Sequence, residues 1–164
     1  MIDAEGYRAN VGIVLVNKAN KVFWAQRVRQ NSWQFPQGGV QPNEPAIVTL
    51  YRELYEEIGL RPHDVEVIGA TTQWHKYQLP THLIRPAIPP ARVCIGQKQK
   101  WFLLRFIGDE SSINFNTSDN PEFCNWDWVH YWMPIKQVIS FKRQVYRKAL
   151  EEFYPLLKYR KVRR

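Results

Sequence analysis

Cysteine is scarce in this chain, with only Cys94 and Cys124 among 164 residues. Two are too few for a disulfide framework, and they lack the close spacing of a redox or structural zinc motif, so a reducing compartment is expected. Long hydrophobic runs are missing too: nothing approaches the roughly 18 apolar residues of a membrane span. The opening MIDAEGYRAN is acidic and polar where a secretory leader would be basic and then apolar. The expectation is a cytoplasmic protein with no membrane partner, in which the Asn-x-Ser pattern at Asn116 has no meaning. Repeats and low-complexity segments are absent, and His63, His75, His82 and His130 show no metal-ligand spacing.

Negative charge is also in short supply. Fifteen acidic residues face 23 lysines and arginines, a formal net charge of +8. A polyanion such as nucleic acid is the favoured partner for that surface, an anionic membrane the weaker one, and plain solubility the bland alternative. The length fits one domain with a substantial core. We place it at residues 1–157, followed by a basic tail, residues 158–164, expected to be flexible.

The scarce acids are unevenly spent. Glu53, Glu56 and Glu57 stand one helical turn apart, behind the glycine-rich turn at Gly38 and Gly39. At about 100° per residue, Ile47, Leu50, Tyr51, Leu54 and Ile58 form an apolar arc, and the three carboxylates gather on roughly the opposite side. Like charges at that spacing repel, a cost that a bound divalent cation would turn into attraction. Hard oxygen donors suit Mg²⁺ or Mn²⁺, with phosphate oxygens completing the shell. Asn43 is expected to cap this helix with Pro45 in its first turn, and Gly59 to end it in the left-handed conformation.

Elsewhere, residues 11–16 and 22–27 read as strands joined at the polar turn NKAN, and residues 65–77 have strand character. Residues 79–92 contain Pro80, Pro86, Pro89 and Pro90 and should be irregular. WFLLRFI, residues 101–107, reads as a central strand, and residues 125–132 as an aromatic-rich strand before a long helix starting at Pro134. When that helix is phased on Ile135, Ile139, Tyr146 and Phe153, Lys142 falls on the apolar face and Phe141 off it. A plain core helix would reverse them, so function is expected to override packing here, unless the helix starts late or bends near Ser140. Trp101, Trp126 and Trp128 are expected in the core.

Gly38, Glu44, Arg52, Glu53, Leu54, Glu56, Glu57, Gly59 and Leu60 fill the nine defined positions of the Nudix box, G-x5-E-x7-R-E-U-x-E-E-x-G-U with U aliphatic, without a departure. The chain therefore resembles the Nudix hydrolases. That resemblance implies an α+β fold, an α/β/α sandwich around a mixed sheet, in agreement with the order of elements. It also implies cleavage of a phosphoric anhydride bond by water with Mg²⁺, Mn²⁺ or another divalent cation. By resemblance Glu53, Glu56 and Glu57 are metal ligands, Glu53 is the first choice as base, the Gly38 carbonyl is a further ligand, and Arg52 positions Glu56. Glu44 then supports the site from behind. A carboxylate from outside the box is expected, Glu122 ahead of Asp119, the alternative being a solvated loop charge.

Similarity continues in WQFPQGG (residues 33–39), CIGQKQKWFLL (94–104), WDWVHYW (126–132) and SFKRQVYR (140–147). These segments are similar to those of Nudix hydrolases that act on the triphosphorylated 5′ end of RNA, leaving a monophosphate that initiates mRNA decay. Arg8, Arg27, Lys98, Lys100, Lys142 and Arg143 are the expected phosphate contacts, Phe141 a base-stacking ring and Tyr77 a further substrate contact. Two other readings stay open: a hydrolase of dinucleoside polyphosphates such as diadenosine tetraphosphate, and an RNA-binding module with vestigial carboxylates. Protein partners are not legible from the residues.

Overall fold

The computed structural model describes residues 1–162, with side chains described through Lys158. Strands β1 (Tyr7–Val16) and β2 (Val22–Arg27) form the expected antiparallel hairpin. Its turn is held by the Asn17 carboxamide oxygen, which accepts from the amides of Ala19 and Lys21 at 3.0 Å each. Two short strands follow, β3 (Trp33–Gln34) and β4 (Gln37–Gly39). The glutamate helix α1 spans Ala46–Ile58 and ends as expected at Gly59, whose φ of 77° is left-handed.

The start of α1 differs from expectation. Pro45, not Asn43, is the flanking residue, and Asn43 itself turns left-handed with φ 61°. The reason is local: residues 41–44 close a turn through the Glu44 amide on the Gln41 carbonyl, and Pro45 is extended, so the helix can begin only after it. The phasing of α1 also needs correction. Leu50, Leu54 and Ile58 are fully buried as expected, but Ile47 is exposed, and Glu53 and Glu57 are buried beside the apolar stripe instead of opposite it.

β5 (Val65–Ala70) and β6 (His75–Gln78) divide the segment read as one strand. β7 (Gly96–Phe106) starts earlier than the apolar run alone indicated. β8 (Phe123–Val129) pairs with β2. The sheet runs β3-β2-β1-β7-β5, with β4 added to β1, β6 to β7 and β8 to β2. β1 and β7 run parallel at its centre and the other pairs are antiparallel, which makes the sheet mixed.

The expected single helix after Pro134 is broken. α2 covers Met133–Gln137, a 3-10 turn covers Ser140–Lys142, and α3 runs Arg143–Val162. Phe141 and Lys142 therefore precede the helix on which they were phased, and the alternative of a late start is the one realised. The expected basic tail begins within α3, whose backbone reaches Val162; the side chains after Lys158 and residues 163–164 lie outside the described residues.

Side-chain alternation along the strands splits the core in two. Val14, Val16, Trp24, Trp101 and Leu103 pack under α3 through Val145, Tyr146, Leu150 and Phe153. Val11, Ile13, Leu15, Phe102 and Leu104 pack under α1 through Leu50, Leu54 and Ile58. Helices thus cover both faces, as the sandwich requires. Trp101 is fully buried, whereas Trp126 and Trp128 are partly buried against the α1-side core. No helix among the described residues is long and apolar enough to cross a membrane.

Gly12 is fixed by this packing, because a Cβ there would lie 2.4 Å from the Trp101 ring. Gly12→Ala is expected to lower unfolding stability by about 1–3 kcal/mol, read from the urea midpoint, since the ring has no room to retreat.

Candidate active site

Arg52 organises the acidic end of the site. Its Nε and one terminal nitrogen grip both oxygens of Glu44 at 2.9 and 2.8 Å, and the same terminal nitrogen donates to the Gly39 carbonyl at 2.8 Å. The other terminal nitrogen donates to Glu53 at 2.6 Å and reaches Glu56 at 3.4 Å. A bidentate grip of this kind fixes the guanidinium plane. The expected Arg52 to Glu56 contact is present, and the contacts to Glu44, Glu53 and Gly39 were not anticipated. The hydrogen bond from Arg52 draws the Glu44 carboxyl down to about 2. Arg52 is itself pushed above its ordinary value, first by that bond.

Gly38 leaves the space that Glu53 fills: a Cβ on it would lie 1.9 Å from the Glu53 carboxyl carbon. Behind Glu53, Glu57 accepts from the Gln37 amide at 3.4 Å. Burial raises the proton affinity of both carboxyls, most of all that of Glu57, which also feels the negative charges of Glu53 and Glu122. Glu56 stays exposed. Glu122 accepts from Arg27 Nε at 3.1 Å, and Asp119 lies on the rim of a cavity of about 610 Å³ that also includes Arg27 and Glu122.

Among the described residues no three acidic, histidine or cysteine side chains converge as a ready-made metal cluster. Arg52 draws Glu53 and Glu56 to itself. The donor set nevertheless fits a hard divalent cation. It consists of carboxylate oxygens around a glycine, with two members whose burial and mutual repulsion favour protons in the cation's place.

On the other side of the sheet, a cavity of about 450 Å³ is walled by Arg27, Gln34, Gln37, Tyr77, Phe141 and Lys142, among others. Tyr77 is buried, its hydroxyl donates to Gln97 at 2.8 Å, and its ring lies 5.8 Å from that of half-buried Phe141. Lys142 is only 8% exposed; its Nζ donates to Gln34 at 3.2 Å and lies 5.9 Å over the Tyr77 ring. Burial, with Arg27 next in effect, lowers its ammonium to about 8. The acidic cluster and the cavity meet where β4 leaves the sheet. Gln37 gives its amide to Glu57 and accepts at its side chain from Gln99 at 3.0 Å, and Gln99 also donates to Asn10 at 2.9 Å.

The structure therefore brings Arg27, Tyr77, Phe141 and Lys142 together. Lys98 and Lys100 are not with them. Strand alternation turns both toward the α1 face, and Lys98 is paired to Asp3 at 3.0 Å. Arg143 donates to the Ile135 carbonyl at the end of α2, and Arg8 lies in a neighbouring concavity. Gln34, Gln37, Gln99 and Asn10 were missed by sequence reasoning. The available signal was polar residues inside strands that should otherwise be apolar, as in GQKQKWFLL.

Residues 6–157 match the model of the NUDIX domain, and the chain belongs to that family. Two curated relatives are named RNA pyrophosphohydrolase. One, from Francisella philomiragia, is 60% identical over 153 residues, covering 93% of this chain and 97% of the relative. The other, from Shewanella denitrificans, is 55% identical over 155 residues, covering 94% and 89%. The fold is similar to that of the E. coli dihydroneopterin triphosphate pyrophosphohydrolase, with a TM-score of 0.67, 19% identity, and coverage of 89% of this chain and 98% of that one. It is also similar to a C. elegans Ap4A hydrolase, with a TM-score of 0.56, 19% identity, and coverage of 86% and 93%.

A carboxyl with raised proton affinity favours folding at low pH, and that contribution is lost as pH rises from the unfolded carboxyl range toward the folded value. Glu57→Gln is therefore expected to raise the urea midpoint of metal-free protein in EDTA near neutral pH, with the advantage shrinking as pH falls toward about 4.5 and absent below it. An unchanged midpoint across that range would mean that the burial cost at Glu57 is absent.

Proposed function

We propose that this protein is an RNA 5′-pyrophosphohydrolase, which adds water across an anhydride bond of a 5′-triphosphate to leave a 5′-monophosphate and pyrophosphate. The observation that carries the reading is the junction at Gln37. There, the buried carboxyls of Glu53 and Glu57 adjoin one cavity whose wall combines two cations with an aromatic pair. Phosphate and base are thus accommodated side by side. The relatives' shared name supports the same reading.

In this proposal Glu53, Glu56 and Glu57, with Glu122 and the Gly38 carbonyl, hold Mg²⁺ or Mn²⁺. A bound divalent cation supplies charge neutralisation at the anhydride oxygens and acidifies a water. Glu53, whose proton affinity burial raises, takes the proton of the attacking water. Arg52 holds Glu53 and Glu56 in position, and Glu44 fixes Arg52 from behind. Arg27 and Lys142 neutralise substrate phosphates. Phe141 offers a ring face to a base with Tyr77 behind it, a contact worth about 1–3 kcal/mol.

The test is release of pyrophosphate from end-labelled triphosphate RNA in Mg²⁺, run beside diadenosine tetraphosphate. Turnover of the RNA is expected to exceed that of the dinucleotide, and Glu57→Gln to reduce it by a factor on the order of 100 or more. Equal or better use of the dinucleotide would overturn the substrate, and full activity of Glu57→Gln would overturn the hydrolytic role of the cluster.

Lys142 adds a pH signature. Its lowered ammonium opposes folding while charged, so its contribution to stability improves as pH rises from about 8 toward the ordinary lysine value. Phosphate binding needs the charged form, so the KM for RNA is expected to rise above about pH 8 in the native protein. In Lys142→Gln, KM should be higher throughout and lose that dependence.

A further inference from the structure

The site cavity continues into a second concavity of about 790 Å³ beneath the proline-rich segment between β6 and β7. The two share Leu79, Leu83 and Gln97 in their walls. The second is lined by Arg8 from β1 and by Arg85 and Arg92 from the proline-rich segment, and no acidic side chain contributes to it. Arg8, Arg85 and Arg92 are exposed, and none forms an ion pair with a described residue. By contrast, Arg27, Arg52, Lys76 and Lys98 all have carboxylate partners.

Three guanidinium groups around one concavity, with no counter-charge, repel one another and favour an anion that can meet several of them in succession. A free phosphate would meet one or two. A phosphodiester chain would meet each in turn, and it would arrive already attached to the substrate held next door. The apolar residues between the arginines suit the faces of sugars and bases better than they suit bulk water. A protein segment is the weaker fit, since it would need an acid for each arginine in a matching register.

We propose that this concavity is the track for the RNA strand downstream of the 5′-terminal nucleotides, with Arg85 and Arg92 holding successive backbone phosphates and Arg8 placed on the side of the track nearest β1. The proposal rests on the reading of the site as an RNA 5′-pyrophosphohydrolase and adds to it the determinant by which the enzyme separates RNA chains from short nucleotides. Binding here depends on length and on charge, but not on base sequence.

The test compares the Arg85→Ala/Arg92→Ala protein with the native one on two triphosphorylated substrates, a dinucleotide and an unstructured RNA of about a dozen nucleotides, which outreaches the first cavity. The native protein is expected to have a lower KM for the longer chain. The double variant should lose most of that advantage, with a several-fold rise in KM, little change in kcat, and dinucleotide kinetics unaltered. Two lost phosphate contacts should also flatten the dependence of log affinity on log salt for the longer RNA by about 1.4, and Arg85→Lys/Arg92→Lys should restore most of it. If the native protein hydrolyses both substrates and the double variant keeps the full length advantage and salt slope, the track is wrong while the site reading stands. If the native protein hydrolyses neither, both fall.

Discussion

The confinement of Glu53 against Gly38, with Glu57 buried beside it, is the constraint on which the rest of the site depends. The Glu53 carboxyl fills the space that a methyl group on residue 38 would occupy, and burial makes both Glu53 and Glu57 reluctant to ionise. Nothing about a helix requires this; left alone, glutamates on a solvated face would spread apart. Here Arg52 restrains one edge of the cluster and Glu44 restrains Arg52. Glycine at position 38 is what lets a strand approach closely enough to leave room for a side chain from α1. The arrangement concentrates negative charge that protein cations only partly offset, and that imbalance gives the proposed metal site its affinity.

The sheet then has to connect this cluster with a substrate cavity on its opposite face. A continuous strand would wall them off. The short strand β4 stops at Gly39, and at that edge Gln37 touches Glu57 with its backbone and Gln99 with its side chain. Arg27 does the same from the end of β2, where the pairing with β8 shifts register: it meets Glu122 and also lines the cavity of Tyr77 and Phe141. Bulges that re-aim a side chain in this way are common beside active sites. The proposed RNA path extends the same cavity outward, toward arginines that form no ion pair with a described residue.

Much of this was legible in the residues, for definite reasons. The β1–β2 hairpin, the central strand of WFLLRFI and the close of α1 at Gly59 follow from local chemistry, which acts over a few residues and leaves a direct mark on the sequence. The start of α1 was misplaced because two turn-formers, Asn43 and Pro45, compete, and the turn at residues 41–44 decides between them. Phe141 and Lys142 were linked to function through a helix that does not include them. The polar anomaly they presented was real, but its cause is a 3-10 turn that carries them into the cavity. Lys98 and Lys100 were grouped with the phosphate contacts by charge alone, and strand alternation sends them to the other face.

The sequence by itself determined the family, the glutamate helix, the mixed α+β layering and the basic surplus, because each is written in residue type, in spacing or in the order of elements along the chain. Only the tertiary structure decided which cations share a cavity with Tyr77, that Gln34, Gln37 and Gln99 line or buttress that cavity, and that Arg8, Arg85 and Arg92 line a second one. Those groupings join residues far apart in the chain, and they depend on strand register and on which face each side chain takes, quantities that the packing of the whole sheet fixes at once.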